Sequence, residues 1–545
     1  MKIFQPKLFL SLKDYSLKKL SSDLVAGIIV AIIALPLSIA LAIASGVAPE
    51  QGLYTAIVAG FVIALLGGSN VNISGPTAAF ATIVAGIVAQ FGTSGLVIAT
   101  IMAGIMLILM GFLKFGSLIK YIPRTITVGF TFGIAITIVI GQIKDFFGLT
   151  FLEGTHAVET MEKLKAVIES ISTLNIQSLA IGVLGLLILI IWPKINKKIP
   201  GSLIAVVVGV IVVKAFKLEV NTIGDLYTIS NNLPSFTIPQ FSFQSVKELI
   251  PSAFTIAILA AIESLLSCVV SDCMINDKHN SNTELIAQGA GNVFSGLFGG
   301  IPATGAIART AANVKNGGRT PVAGIVHAIV LLLILIVFMP YAAWIPMPII
   351  AAILFMVAYN MCEWREFVKI CKQAPKSDII VLVLTFALTV IFDLVVAIEF
   401  GMIATAFLFI KRMSDVTKIR TWVDESSSND ERLKHIPDKT QIFEFDGPMF
   451  FATSEVISSI PVLDETKVVI LRMRNIPSLD VSALEALKEL YHKCREKDTT
   501  ILFSHVNKQP MSVMKKSGFY DAVGDVCFVK NIDEALSFAE GLVNN

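Results

Sequence analysis

Glu263 is the only charged residue between Ser252 and Val270. An ionised carboxylate is costly to bury in apolar surroundings unless it is hydrogen-bonded or paired. Glu263 therefore reads either as a structural hydrogen-bonding residue or as a group that takes up a proton or a monovalent cation. Ser267, four residues on, shares its helical face. Two further segments suggest a different chemistry. Ser74-Gly75-Pro76-Thr77-Ala78-Ala79 and Pro302-Ala303-Thr304-Gly305-Ala306 each break an apolar run and continue with small side chains. Proline is accepted in the first turn of a helix, where N–H groups lack intrahelical partners. Two such half-helix starts meeting at one point would offer N–H donors and positive dipole ends to an anion, and small side chains would let it approach the backbone. Structural kinks are the alternative. Arg309, two turns into the second half-helix, would add positive potential behind such a site or else serve packing. His327 reads as a hydrogen-bonded interhelical histidine, and Asp393 and Glu399 as water-facing or helix-capping carboxylates.

These residues need a membrane-embedded frame. Of 545 residues, 54% are hydrophobic and 15% charged, against about 25% charged in an ordinary soluble domain. Gln51–Leu113 runs 63 residues without Asp, Glu, Lys or Arg, and Thr320–Cys362 runs 43. A bilayer core of about 30 Å takes roughly 20 apolar helical residues to cross, so each stretch holds more than one span. A net charge of +2 supplies no basic field for nucleic acid. The sequence has no nucleophile–base pair, no zinc-ligand spacing among its six cysteines and no glycine-rich phosphate loop. Neither an enzyme nor a cofactor is expected.

Hydropathy divides residues 24–415 into fourteen spans, of which 76–91 and 303–315 are too short and too polar at their starts to cross fully. Loop charges fit cytoplasmic N- and C-termini. Lys114, Lys120 and Arg124, then Lys194, Lys197 and Lys198, then Arg365, Lys369, Lys372 and Lys376 fall inside, while Glu153, Glu159, Glu162 and Glu169 fall outside. Residues 1–23 form a Lys-bearing amphipathic stretch without a cleavable signal, expected on the membrane surface. Residues 416–439 read as a polar linker. Residues 440–545 read as a small α/β domain, with strands at Thr440–Asp446, Lys467–Met473 and Thr499–Ser504 and helices at Ser482–Glu496 and Ile532–Leu542.

The spans repeat. Gln51-Gly52, Gly67-Gly68, the first broken segment and Ile122-Pro123 recur in order as Gln288-Gly289, Gly299-Gly300, the second broken segment and Ile345-Pro346. The halves are about 24–216 and 249–411, and a repeat of seven spans must be inverted in the membrane. Broken segments at corresponding positions of two halves mark the binding site of a secondary transporter.

Asp23-Leu24-Val25-Ala26-Gly27, Ala34-Leu35-Pro36, Ala44-Ser45-Gly46-Val47, Gly52-Leu53-Tyr54 and Ile73-Ser74-Gly75-Pro76-Thr77 resemble the sulfate permease (SulP) family of anion transporters. Gly299–Thr310 and Ala374–Asp378 fit as well, and the C-terminal domain is similar to the STAS module that the family carries. Pro36–Ala42 is nearest in wording to the C4-dicarboxylate branch of enteric bacteria. The resemblance implies a UraA-type fold of seven plus seven spans with core and gate domains. It also implies a homodimer in a bacterial inner membrane and elevator-like movement of the core. It places substrate between Thr77, Ala78 and Ala79 on one side and Gly305, Ala306 and Ile307 on the other, with Leu37 and Leu41 lining the site. Glu263 takes the cation-linked position and Ser267 the neighbouring hydroxyl position. The chain departs from the pattern twice. Ile307 stands where the sodium-dependent bicarbonate branch has a hydroxyl residue. Val481, within Asp480-Val481-Ser482-Ala483, stands where anti-sigma-factor antagonists carry their phosphorylated serine, which leaves Ser482 as a helix cap.

The expected function is secondary active transport: proton-coupled uptake of a C4-dicarboxylate, or of sulfate or bicarbonate, with a cytoplasmic regulatory partner for the STAS domain. Sodium coupling, a nucleobase permease and an anion channel or receptor are the alternatives. The appended STAS domain argues against the nucleobase permease.

Overall fold

The computed structural model describes residues 4–117, 123–152, 157, 159–196, 199–240, 242–392, 394–422 and 436–543. Lys120, Ile122, Glu153, Lys197, Lys198, Asp393 and positions 423–435 of the expected linker lie outside the described residues. Two compact units divide the chain, Met1–Met402 and Ile403–Asn545.

The first half of the membrane unit comprises α1 (Leu17–Ala44), α2 (Pro49–Leu66), α3 (Ala81–Phe112), α4 (Arg124–Phe147), α5 (Ile176–Ile195) and α6 (Gly201–Phe216). The second comprises α7 (Phe243–Ile275), α8 (Ser281–Leu297), α9 (Ile307–Lys315), α10 (Val322–Ala342), α11 (Met347–Met361), α12 (Lys376–Ile391) and the start of α13 (Leu394–Val416), which runs on past Met402. Gly92, at φ 68°, interrupts α3 and makes two spans of it, so each half has seven. Eight helical stretches among the described residues are long and apolar enough to cross a bilayer. Between the halves, β1 (Ser74–Gly75) pairs antiparallel with β2 (Thr304–Gly305), Ser74 opposite Gly305. The inverted repeat crosses itself at its two broken segments.

Two bundles result. Helices α1, α2, α3, α7, α8, α9 and α10 pack on one another as a core bundle, and α4, α5, α6, α11 and α12 as a gate bundle, with α1 touching both. Lipid tails are as apolar as leucine, so helices in a membrane associate through close packing of small residues. Gly104 of α3 and Gly289 of α8 show this. A Cβ on either would lie 2.6 or 2.5 Å from the carbonyl oxygen of the other.

Residues 17–23 of the expected surface stretch belong to the first span. Helix α1 begins at Leu17, capped by the Ser16 hydroxyl, which accepts the Lys19 N–H. The preceding residues are tied to loops of the core bundle. Lys7 N–H donates to the Gly67 carbonyl at 2.9 Å, Lys7 Nζ pairs with Asp277 at 3.1 Å, and Gln5 N–H donates to Thr283 Oγ1 at 3.1 Å. Burial would raise the Asp277 carboxyl, but hydrogen bonds from the Lys278 N–H, Lys7 and Asn70 outweigh it and hold the group below the usual carboxylate range.

In the second unit the sheet order is β3 (Lys418–Trp422), β4 (Thr440–Asp446), β5 (Val468–Asn475), β6 (Thr500–Ser504) and β7 (Phe528–Val529), with β3 antiparallel and the rest parallel. Helices α14 (Val481–Glu496) and α15 (Ile532–Val543) complete the alternation. Central β5 is buried along Val468–Met473, as a parallel strand covered on both faces is. Val469, Leu471 and Met473 join one apolar cluster and Val468 and Ile470 another. Two corrections follow. Lys418–Trp422, expected to be linker, is the edge strand β3, because Ile419 packs on the core while Lys418 and Arg420 stay exposed. The cap of α14 is Asp480, whose Oδ1 accepts the Ala483 N–H at 2.8 Å, and Ser482 is exposed.

Candidate functional site

The strand pair fixes where the half-helices begin. Thr77 is extended, Ala78–Phe80 form a 3-10 turn, and α3 starts at Ala81. Ala306 is extended and precedes α9. Pro76 and Pro302 therefore stand in extended segments and not in first helical turns. Pairing across the repeat is the cause, extended by a hydrogen bond from the Ala306 N–H to the Ile73 carbonyl at 2.8 Å. Since α9 starts at Ile307, Arg309 lies in its first turn and not two turns in.

Helix α7 brings the two halves together. Glu263 Oε2 accepts the Thr77 hydroxyl at 2.9 Å. The next residue, Ser264, accepts the Gly305 N–H at 3.1 Å, and its Oγ lies 2.7 Å from Thr304 Oγ1. Consecutive residues of one helix thus hold Thr77 of the first half and Gly305 of the second. Ser267 is engaged elsewhere, donating to Asn72 Oδ1 at 2.8 Å with its Oγ 3.2 Å from Thr310 Oγ1.

With the Gly305 and Ala306 N–H groups committed, other donors remain. Those of Ala78 and Ala79 on one side, and of Ile307, Ala308 and Arg309 on the other, have no partner among the described residues; the first bond within α9 runs from the Thr310 N–H to the Ala306 carbonyl. The Ala78 and Ala79 side chains are buried, Thr77 and Ala306 are half-buried, and Ile307 is 43% exposed. Arg309 is 3% exposed. Its Nη2 donates to the Pro76 carbonyl at 2.9 Å, and its Nη1 has no partner among the described residues. Gly75 makes room for that guanidinium, since a Cβ there would meet Nη1 at 2.5 Å. Leu37 packs partly on the gate cluster around Ile349, and Leu41 is buried. His327 departs from expectation. It is fully buried, and neither ring nitrogen has a hydrogen-bond partner among the described residues.

Sequence reasoning missed a second buried carboxylate. Glu284, 1% exposed, accepts the Gly68 N–H at 2.9 Å, Asn72 Nδ2 at 2.8 Å and Gln288 Nε2 at 2.9 Å. Gln288 Nε2 also reaches Ser74 Oγ at 2.8 Å, and Thr310 Oγ1 accepts the Ile73 N–H at 3.0 Å. Glu284 thus braces the whole approach to β1. In the sequence it looks like an ordinary acidic first-turn residue of α8; the usable signal was Gln288, four residues on. The two carboxylates differ in what they can do. Three amide N–H groups donate to Glu284, and the Cys268 thiol also hydrogen-bonds it. The partner of Glu263 is a hydroxyl, which can donate to a carboxylate or accept from a carboxylic acid. Among the described residues no cluster of three or more His, Cys, Asp or Glu is placed to hold a metal.

Crossed, broken helices within an inverted membrane repeat define a secondary transporter. Residues 20–385 match the sulfate permease family and residues 432–535 the STAS domain. The chain belongs to the sulfate permease family, a family of transporters and not of enzymes. It is 39% identical over 527 residues to the "Putative sulfate transporter YvdB" of Bacillus subtilis, covering 96% of this chain and 98% of that one. It is 31% identical over 545 residues to the bicarbonate transporter BicA of a Picosynechococcus species, covering 96% and 95%. Among solved structures, the transmembrane domain of a cyanobacterial BicA superposes with a TM-score of 0.63 at 30% identity, over 72% of this chain and 98% of that one. The murine Solute Carrier 26 family member A9 anion transporter, in its inward-facing state, gives a TM-score of 0.88 at 19% identity, over 98% and 94%, and supports the fold alone.

Proposed function

We propose that the protein is a secondary active transporter that takes up a small oxyanion together with a proton. Glu263 carries the proton, and the starts of the two half-helices hold the anion. The observation that carries this reading is the set of free N–H groups at Ala78, Ala79, Ile307 and Ala308, beside a carboxylate with one hydroxyl partner. Helix N-termini bind anions without a permanent cation in contact, and the buried Arg309 adds positive potential behind them. Two unit charges 4 Å apart repel by about 4 kcal/mol at an effective dielectric of 20, so an ionised Glu263 opposes the anion. Protonating Glu263 removes that repulsion, which couples the two loads. The Ile307 side chain offers no oxygen to a sodium ion and favours the proton. The core bundle carries the loaded site past the gate bundle along α1 in an elevator-like step, and the STAS domain regulates the transporter.

Sulfate, bicarbonate and one end of a C4-dicarboxylate present the same kind of oxygen acceptors to N–H donors. The names of the relatives favour the first two, and Pro36–Ala42 the third. Uptake of radiolabelled sulfate, bicarbonate and succinate into proteoliposomes, under proton and sodium gradients imposed in turn, is the test. Saturable uptake of one of them, driven by the proton gradient, is expected. Uptake driven by sodium alone, or flux that does not saturate, would overturn the reading.

A further inference from the structure

An apolar cleft of about 260 Å³ opens between α1, α2 and α10 of the core bundle and α6 of the gate bundle. Pro36, Ile39, Leu53, Val207, Val210 and Phe338 are among its walls. Val207 and Phe338 stand 46% and 58% exposed, so the cleft opens on the outer surface of the spanning helices. Its end is of a different character. Tyr341 and Trp344 meet there edge to face, with ring centroids 5.2 Å apart. Lys214, one turn beyond Val210, holds its Nζ 2.9 Å from the centre of the Trp344 ring. No carboxylate among the described residues forms a salt bridge with Lys214, and Lys217 is exposed at the same helix end. The nearby Asp225 is taken up by the Thr222 N–H and hydroxyl, both at 2.7 Å.

We propose that this cleft binds an anionic phospholipid, one acyl chain lying between the two bundles and the phosphate resting on Lys214. Water finds no polar partners along the walls and does not fill such a space; a hydrocarbon chain does. Tryptophan, tyrosine and a lysine with its apolar stem laid along them are the residues that sit at headgroup level. The cleft therefore has an apolar run and a cationic end in the order in which a phospholipid presents its own parts. One wall belongs to each bundle, so the acyl chain lies in the seam between them. The site is independent of which anion the protein carries.

The chain has four tryptophans, Trp192, Trp344, Trp364 and Trp422. Replacing the other three with phenylalanine leaves Trp344 as a reporter. The full-length variant is reconstituted in bilayers, and quenching of Trp344 is compared for phosphatidylglycerol and phosphatidylcholine brominated on their acyl chains. One lysine near the surface favours an anionic lipid by about fivefold, and that preference is expected at Trp344. It falls to about onefold in Lys214→Gln and is kept in Lys194→Gln, where the removed charge lies at the end of α5. Val207→Phe, which narrows the rim, weakens quenching by both lipids. Equal quenching by the two lipids in the parent protein, or a preference that survives Lys214→Gln, would mean that Trp344 meets annular lipid only and would overturn the proposal.

Discussion

The Thr77 hydroxyl donates to Glu263 at 2.9 Å, joining the residue that leads into the first half-helix to a carboxylate on α7. That one bond ties Glu263 to the residue immediately before the Ala78 and Ala79 N–H groups. Glu263→Gln keeps a side-chain oxygen for Thr77 but cannot ionise. This variant is expected to lose uphill, proton-driven uptake while still exchanging labelled for unlabelled substrate across proteoliposome membranes. Full gradient-driven accumulation by Glu263→Gln would remove the residue from the coupling step.

Glu284→Gln should behave differently. The amide offers one oxygen where the carboxylate offers two, so its nitrogen must face at least one of three N–H donors. Losing a buried hydrogen bond of this kind costs about 1–3 kcal/mol. A lower melting temperature of the purified protein is expected, with any uptake that remains still responding to the proton gradient. An unchanged melting temperature would show that the network around Asn72 does not depend on the second carboxylate oxygen of Glu284.

That contrast also marks what the sequence could and could not disclose. Glu263 was visible because no other charge accompanies it over a whole span. Glu284 sits at a helix start, where an acidic residue is unremarked. The broken segments were legible from glycine, proline and their repetition, and so was the inverted repeat they imply. The placement of Pro76 and Pro302 was not, because a two-residue strand pair between Ser74–Gly75 and Thr304–Gly305, so far apart in the chain, leaves no periodicity to read. The same holds for the donors. Gly305 and Ala306 lie in the right segment, but their N–H groups are consumed by Ser264 and Ile73, and that becomes apparent once the partners are located. In the STAS domain, the buried run of β5 and the amphipathic α14 were plain from pattern, whereas β3 was hidden by its charged, exposed half.

Tyr15 gives a test at high pH. Burial first, and then the Asp23 carboxylate, push its hydroxyl up to about 12. The neutral phenol donates to Asp23 Oδ2 at 3.0 Å, and the same carboxylate accepts the Thr320 hydroxyl at 2.6 Å. A phenol in the unfolded chain titrates near 10. Raising the folded value gives stability that is fully present below about pH 10 and is lost as pH rises towards 12. Melting temperatures of the detergent-solubilised protein between pH 9 and 12 should therefore fall more steeply for the parent than for Tyr15→Phe. Parallel curves would show that the Tyr15–Asp23 contact adds nothing in that window.

The placement of the anion itself is tested by Ala306 and Thr77 together. Ala306 is half-buried at the mouth of the site, its own N–H bonded to Ile73 and the free donors of Ile307 and Ala308 immediately after it. Leucine there projects into the space an anion must enter to come within about 3 Å of those donors. Ala306→Leu is expected to weaken binding by at least tenfold, roughly 1.4 kcal/mol. Thr77→Ala acts by another route, since its hydroxyl serves Glu263 and not the free donors. Removing a hydrogen bond to a charged group costs about 1.5–3 kcal/mol, and that cost falls on the state in which Glu263 is ionised. Thr77→Ala should thus favour the protonated form, and anion binding should persist to higher pH than in the parent. Calorimetric titration of both variants with the transported anion at pH 6, 7 and 8 separates the two effects. Unchanged affinity in Ala306→Leu, with the protein folded, would place the anion away from the start of α9. A Thr77→Ala profile that tracks the parent across all three pH values would uncouple the hydroxyl from the charge of Glu263.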